Sequence, residues 1–154
     1  MKSWNKDRAE EIVQAHRDME GAILPILHAL QAEFGFISDE AVPIIAQALN
    51  LTRADVHGVI TFYHDFRRAP PGRHVLKLCR AEACQSMGAE ELAARARERL
   101  GLDWSETAAD RSVTLEPVYC LGLCACAPAA MLDGKPVGRL DDERLDDMLN
   151  EARR

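Results

Sequence analysis

The sequence has no apolar run long enough to cross a membrane. Its longest apolar stretches, 22–30 and 41–49, are each interrupted by a proline and by a polar residue, whereas a bilayer requires about 20 consecutive apolar residues. Lys2, Lys6 and Arg8 are followed by charged and polar residues, not by the apolar segment of an export signal. We therefore expect no direct membrane insertion and a cytoplasmic location.

The chain also has no excess of positive charge. Against 25 acidic side chains stand 19 lysines and arginines, which gives a net charge of -6 and a sequence pI near 5.4. This charge is opposite in sign to that of a surface that binds phosphates, so the composition argues against nucleic acid as a partner. With 154 residues, 47% of them hydrophobic and 29% charged, the chain is typical of one globular unit or two small ones.

Familiar catalytic motifs are missing as well. The sequence contains no glycine-rich nucleotide loop and no recognisable nucleophile with its base, and it has no internal repeat. We therefore predict no catalytic residue in this chain. If a substrate is converted, we expect another chain to convert it.

Residues 1–68 show the periodicity of four short amphipathic helices, which predicts a small helical bundle. Gly35 is in a helix-ending position after the second helix, and Thr52 with Asp55 resembles a capping box before the fourth. The predicted buried positions are Ile12, His16 and Met19; Ile23, Leu27, Leu30 and Phe34; Ala41, Ile44, Ile45 and Leu49; and Val56, Val59, Ile60 and Tyr63.

Two prolines and a glycine within 67–72 indicate a linker, so we place a domain boundary between 68 and 69. Residues 69–154 then predict the order β, α, β, β, β, α, and the whole chain is expected to belong to the α+β class. The predicted segments are a strand at 73–78 with Cys79 at its end, a helix at 87–100, strands at 111–118, 129–132 and 135–138, and a final helix that starts at the acidic residues 141–143. Asp133 and Gly134 indicate a hairpin turn between the last two strands.

Four of the five cysteines fall into two close pairs. Four residues separate Cys79 from Cys84, three separate Cys120 from Cys124, and 35 lie between the pairs. Each pair follows a predicted strand, so a sheet could hold the two loops side by side. Thiolates repel one another. A bound metal ion compensates for this repulsion with its positive charge, and it deprotonates the thiols outright. In a chain without an export signal, such cysteines indicate metal ligands or reactive thiols rather than disulfides.

Three kinds of site remain open at this point. A structural zinc ion accepts four cysteines at such spacings. An iron-sulfur cluster also uses four cysteines, and longer, irregular loops suit two irons that are bridged by sulfide. A thiol-disulfide enzyme would favour Cys-x-x-Cys, which is absent. The spacing favours iron-sulfur chemistry over zinc without excluding zinc.

The residues around the pairs add detail. Both loops contain mostly small or apolar residues, which allows backbone N–H groups to point at sulfur and keeps water away from it. Cys126 follows Cys124 by two residues and is expected to be a small buried side chain, with an oxidant-sensing thiol as the alternative. His28 lies in an apolar helix and is expected in the core or at an interface.

The cysteine pattern, followed by Ala-Pro-Ala at 127–129, resembles the thioredoxin-like [2Fe-2S] ferredoxin family, which includes the 24-kDa-type subunit of respiratory complex I. The resemblance covers nearly the whole chain. It extends to the segments 26–31, 34–37, 56–59 and 61–63.

This resemblance implies a thioredoxin-like [2Fe-2S] domain with a mixed sheet and flanking helices at 69–154. Carried over position by position, it implies that Cys79, Cys84, Cys120 and Cys124 are the cluster ligands, with Cys126 outside the set. It also implies a one-electron carrier that docks, largely through residues 1–68, on a subunit that binds flavin (FMN) and NAD.

Within the family, residues 79–88 are most similar to the gamma subunit of NAD-dependent formate dehydrogenase. This similarity implies a second partner, a larger catalytic subunit with a molybdenum or tungsten pterin. The equivalent subunit of complex I or of an NAD-reducing hydrogenase is the alternative, and a zinc-stabilised interaction module is the alternative from another class.

Overall fold

A computed structural model of the protein describes residues 3–153. The chain divides into two compact units, 1–70 and 71–154, and the division falls two residues from the boundary that the linker composition predicts. Each unit has its own hydrophobic core, one built from helices and the other from a sheet with helices.

The first unit consists of four α-helices, as its periodicity predicts. Their bounds are α1 Lys6–His16, α2 Ile23–Phe34, α3 Ala41–Leu49 and α4 Arg53–Phe62. Gly35 adopts a left-handed conformation, and its N–H is bonded to the Gln31 carbonyl, which ends α2 in the expected way. At the start of α4, Thr52 and Asp55 form a complete capping box, so this sequence signal is confirmed.

Two apolar positions predicted to be buried in the first unit are exposed. Met19 lies beyond the end of α1 and is half exposed. Tyr63 leaves helical geometry immediately after α4, with its backbone extended, and its side chain is 42% exposed. Periodicity predicts the buried face of a helix only as far as the helix continues. Both errors therefore arise at a helix end.

The second unit contains a five-stranded mixed sheet with helices. Its elements are β1 His74–Cys79, α5 Glu82–Gln85, α6 Ala89–Leu100, β2 Glu106–Thr107, β3 Val113–Val118, β4 Ala129–Leu132, β5 Lys135–Gly138 and α7 Asp142–Ala152. The strand order is β2-β3-β1-β4-β5. Only the β1–β3 pair is parallel; the other neighbours are antiparallel. The α+β class predicted from the sequence is confirmed.

Several local features of the second unit differ from the prediction. The predicted helix at 87–100 begins at Ala89, because Gly88 has a left-handed backbone, and a separate short helix, α5, precedes it. Strand β3 begins at Val113 rather than at 111, since Asp110 accepts bonds from the amide and hydroxyl of Ser112 in a turn. Strand β2 was not predicted, because two residues are too few to show the alternation of apolar and polar residues that indicates a strand.

The helices of the described region are short. The longest, α2 and α6, have 12 residues each, against the roughly 20 that a span requires. Within residues 3–153, no helix has both the length and the apolar character needed to cross a membrane.

The parallel pair at the centre of the sheet brings the two cysteine-bearing loops to one edge. Cys79, the last residue of β1, is in register with Val118, the last residue of β3. The ladder continues one step further, because the Arg80 amide donates to the Val118 carbonyl at 2.8 Å. Since the carboxyl ends of parallel strands meet at the same edge, both loops leave the sheet side by side.

We predict that Leu115→Ala, in the middle of β3, destabilises the protein strongly. Leu115 is fully buried opposite Leu76, and such a truncation costs about 2–5 kcal/mol. In a chain of this size the midpoint of thermal unfolding should fall by at least about 4 °C. The same truncation at the exposed Leu51 is the control and should shift the midpoint far less; equal shifts would contradict this packing.

Candidate metal centre

The first cysteine pair is held by the end of β1 and by the short helix that follows it. Cys79 is only 3% exposed and Cys84 only 2%. Cys84 lies inside α5, and its amide donates to the Ala81 carbonyl at 2.9 Å. The Gln85 side chain closes the loop by donating to the Arg80 carbonyl at 2.7 Å. The result is a compact turn whose two thiols are buried.

The second pair lies in the loop between β3 and β4 and is exposed. Cys120 has a positive φ of 106° and Gly122 one of 77°, a region that glycine adopts readily and other residues rarely. This conformation lets the Gly122 amide donate to Cys120 Sγ at 3.3 Å. Cys124 begins a 3-10 turn, Cys124–Cys126, which places its Sγ 3.6 Å from that of Cys120.

The fold brings the two pairs together, as their positions after neighbouring strands predict. Cys79 is hydrogen-bonded to Cys84 and also to backbone amides of Cys120 and Leu121, across the two loops. Cys124 interacts electrostatically with both Cys79 and Cys84. All four thiols therefore lie within one small region, although 35 residues separate the pairs in sequence.

The thiols of this region oppose one another's ionisation. Burial, followed by the hydrogen bond to Cys79 and by repulsion from neighbouring thiolates, raises the pKa of Cys84. The hydrogen bond and the charge of Cys120 raise the pKa of Cys124. Cations that bind sulfur remove this penalty, because they replace protons and neutralise charge.

Cys79 differs from the other two in the direction of its shift. Burial raises the pKa of its thiol, but a hydrogen bond from the Ala81 amide, with those from Cys84 and from the second loop, outweighs burial. The net pKa lies below the usual value. Backbone N–H groups thus stabilise negative charge on sulfur, which is the role expected of these loops from their small residues.

Apolar side chains surround the buried half of the site. Cys79, Cys84, Ala89 and Ala129 form a small hydrophobic cluster. Partly buried apolar side chains pack against this cluster, namely Ala81, Val118, Leu121, Leu123 and Ala127. They limit the access of water to the sulfur atoms, which also affects the reduction potential of a bound metal centre.

The Arg80 side chain, which follows Cys79 in sequence, is held by an aromatic ring and a carboxylate. The Arg80 guanidinium lies 5.1 Å from the centre of the Trp104 ring, and Arg97 also lies over that ring, at 5.9 Å. Arg80 further bonds Glu90 at 2.9 Å. This arrangement orients the side chain that immediately follows Cys79, and it explains Trp104 as a packing anchor.

The donor set consists of two pairs of thiols, which suits a centre with two metal ions. A lone tetrahedral zinc requires four sulfurs about 2.3 Å from one point. Two pairs of sulfurs, each on its own loop, suit two bridged irons with two thiolates each.

Other residues considered from the sequence fall outside this group. Cys126 is half buried, not fully buried as predicted, and it follows Cys124 on the 3-10 turn. His28 is exposed, so it is not in the core, one of the two positions predicted for it, and its ring lies 5.0 Å from that of Phe66.

The sequence analysis did not identify individual amide donors, nor a glycine that packs against the second loop. The donors are the N–H groups of Ala81, Cys120, Leu121, Gly122 and Ala129, and side-chain patterns reveal no main-chain donors. Gly138 lies at the end of β5 and approaches Cys126 closely. A glycine inside a predicted strand signals such an approach and could have indicated it.

The sequence is similar to a known protein family and to individual proteins. Residues 9–153 match the family model described as thioredoxin-like [2Fe-2S] ferredoxin. The chain is 36% identical over 124 residues to an NADH-quinone oxidoreductase subunit from Pseudomonas aeruginosa, covering 80% of this chain and 75% of that one. It is 34% identical to the corresponding NADH-quinone oxidoreductase subunit from Mycobacterium bovis, over 81% of this chain.

The chain is shorter than some of the proteins it matches. It spans 50% of the Mycobacterium bovis protein. A solved structure of an NAD+-reducing [NiFe]-hydrogenase in the air-oxidized state has the same fold, with a TM-score of 0.72 and 24% identity. That match covers 84% of this chain and 22% of the hydrogenase chain.

We predict that the two pairs differ in reactivity once the metal has been removed with a chelator. Cys84 and Cys124 form a matched comparison, because both have a raised pKa but only Cys124 is exposed. A local opening that costs about 1.4 kcal/mol slows a reaction tenfold, so iodoacetamide should alkylate Cys124 at least about ten times faster. Mass spectrometry of timed samples measures both rates, and equal rates would contradict the buried position of Cys84.

Proposed function

Because the chain belongs to the thioredoxin-like [2Fe-2S] ferredoxin family, we propose that it is the one-electron carrier subunit of a cytoplasmic, NAD-linked formate dehydrogenase complex. The family resemblance stated from the sequence is confirmed by the match over 9–153. The thioredoxin-like fold and the [2Fe-2S] cofactor follow from the same membership. The closer assignment to formate dehydrogenase is a proposal of its own, considered below.

The ligands that we propose are Cys79 and Cys84 for one iron, and Cys120 and Cys124 for the other. The convergence of the two loops at one sheet edge is the observation that supports this set most directly. The short distance between Cys120 Sγ and Cys124 Sγ, 3.6 Å, is close enough for both to bind the same metal ion. Cys126 is outside the proposed set.

A bound [2Fe-2S] cluster supplies one-electron chemistry, accepting and releasing electrons singly. The chain's own residues set the conditions for this. The amides of Ala81 and Gly122 donate to sulfur and stabilise negative charge. The apolar residues around Cys79 and Cys84 limit solvent access, and the exposed Cys120 and Cys124 leave one side of the centre accessible.

The proposed partners follow from the relatives and from the resemblance. The relatives from Pseudomonas aeruginosa and Mycobacterium bovis are subunits of an NADH-quinone oxidoreductase. A neighbouring subunit with flavin and NAD would exchange single electrons with this chain. We propose that the helical residues 1–68 form much of the docking surface and that residues 69–154 form the electron-carrying domain. The described surface includes exposed Phe62 and Tyr63 at the end of α4.

The segment 79–88 supports formate dehydrogenase as the parent complex. It reads Cys-Arg-Ala-Glu-Ala-Cys-Gln-Ser-Met-Gly and resembles the gamma subunit of the NAD-dependent enzyme. Complex I and NAD-reducing hydrogenase use a similar module, and they are the alternatives. In each case formate, hydrogen or quinone would react on another chain, because we assign no catalytic residue to this one.

The first test is the composition of the purified chain and of its serine variants. We expect iron and acid-labile sulfide in equal amounts and, after reduction with dithionite, an EPR signal from a half-integer spin. Serine at Cys79, Cys84, Cys120 or Cys124 should abolish or severely alter this signal, because an alkoxide replaces a soft thiolate poorly.

Cys126→Ser is the matched control for the serine series. It removes a thiol from the same loop but from outside the proposed ligand set, so its iron content and EPR signal should equal those of the wild type. A colourless, zinc-loaded chain from cells with ample iron would refute the proposed function. Loss of the cluster in Cys126→Ser alone would refute the ligand assignment.

The parent complex is tested by isolating the tagged chain from its native cells. We expect a flavin subunit and a large molybdenum or tungsten pterin subunit to co-purify, and the preparation to reduce NAD+ with formate. Exchange with a Cys124→Ser chain should abolish NAD+ reduction, while formate still reduces an artificial dye at the large subunit. Co-purification of a nickel-iron subunit or of proton-pumping membrane subunits would instead identify a hydrogenase or complex I.

A further inference from the structure

The end of β5 packs directly against the turn that presents Cys124. A Cβ atom added to Gly138 would lie 2.8 Å from Cys126 Cβ and 2.9 Å from the Cys126 carbonyl oxygen. Carbon atoms in contact prefer about 3.5–4.0 Å, so no side chain fits there without displacement. The neighbour is the backbone and Cβ of the turn, not the movable end of a side chain.

Two backbone hydrogen bonds fix the same contact. The Arg139 amide donates to the Cys126 carbonyl at 2.5 Å, and the Leu140 amide donates to the Pro128 carbonyl at 2.9 Å. Leu140 is itself buried in the core of the second unit. The strand end is therefore anchored in the core on one side and bonded to the cysteine turn on the other.

A side chain from α7 also bonds the end of β5. Arg144 donates to the carbonyls of Gly138 and Arg139, at 3.0 and 3.3 Å. The Arg144 amide is bonded to Asp141, which caps α7. The helix start, the strand end and the cysteine turn thus form one connected chain of contacts.

From these contacts we propose that Gly138 is a positioning residue for the metal centre: by leaving no side chain between β5 and the Cys124–Cys126 turn, it sets where the Cys124 thiolate meets its iron. The inference rests on the proposed function, since it requires Cys124 to be a ligand. Gly138 does not adopt a left-handed backbone conformation, which would by itself require glycine. The lack of room for a side chain is therefore the reason for glycine at this position.

Gly72 provides a matched control for the test. A Cβ there would lie 2.9 Å from the backbone of Val113, a collision as severe as that at Gly138, and Gly72 also lacks a left-handed backbone. Gly72 precedes β1 and Val113 begins β3, so both lie at the opposite end of these strands from Cys79. Alanine at Gly72 should destabilise the unit without disturbing the cysteine loops.

The experiment compares Gly138→Ala and Gly72→Ala in the full, cluster-loaded chain. Mutation of outer-shell groups that orient a metal ligand typically costs 10–100-fold in metal affinity or activity. We therefore expect Gly138→Ala to lose iron to a chelator at least about tenfold faster and to show shifted EPR g-values. Gly72→Ala should lower the midpoint of thermal unfolding to a similar extent, with iron loss and g-values like those of the wild type.

A second pair of variants decides the question if Gly138→Ala does not fold. Arg144→Met removes the bonds to Gly138 and Arg139 without introducing a collision. Arg153→Met removes an equal charge near the end of α7, where Arg153 donates to the Arg99 carbonyl instead. We expect faster iron loss for Arg144→Met and wild-type behaviour for Arg153→Met.

The outcomes separate this inference from the proposed function. If the wild-type chain contains no iron and sulfide, both the proposed function and this inference are refuted. If the wild type carries the cluster but Gly138→Ala keeps its g-values and its rate of iron loss, only the inference is overturned. It is equally overturned if both glycine variants lose iron in proportion to their thermal destabilisation, or if the two arginine variants behave alike.

Discussion

The central constraint on this molecule is the cost of holding four thiols in one small space. Thiolates repel, and the raised pKa values of Cys84 and Cys124 show that repulsion and burial both oppose ionisation. The chain offsets part of this cost with backbone N–H groups, most clearly at Cys79. A metal centre offsets the rest. The parallel pairing of β1 with β3 has its functional consequence here, since it delivers both loops to one edge.

The parts of the fold that the sequence predicted are those set by local chemistry. Gly35 ends α2, and the Thr52–Asp55 box begins α4, because each device acts within one helical turn. The Asp133–Gly134 turn joins β4 to β5 for a similar reason. The strand signal before each cysteine pair also predicted that both pairs would follow a strand, as Cys79 at the end of β1 and Cys120 after β3 do. These signals need no knowledge of distant residues.

The features that the sequence did not predict depend on tertiary contacts or on where a helix ends. Tyr63 has the right spacing for burial, yet α4 stops one residue earlier. The amide of Leu121 reaches Cys79 only because two strands far apart in sequence lie side by side. Gly138 looks like an ordinary strand residue until the Cys126 turn is placed against it. Local periodicity does not reveal such contacts, because they are set by how the elements pack.

The prevalence of main-chain contacts around the cysteines has a further consequence. The Gly122 amide that bonds Cys120, the Arg139 amide that bonds the Cys126 carbonyl and the Arg80 amide that extends the β1–β3 ladder are all backbone groups. Almost any residue supplies such a donor, so these contacts constrain backbone path and leave most side chains between the cysteines unspecified. The side chains of 80–83 need not contact the metal centre, and Arg80 instead bonds Glu90 and lies over the Trp104 ring.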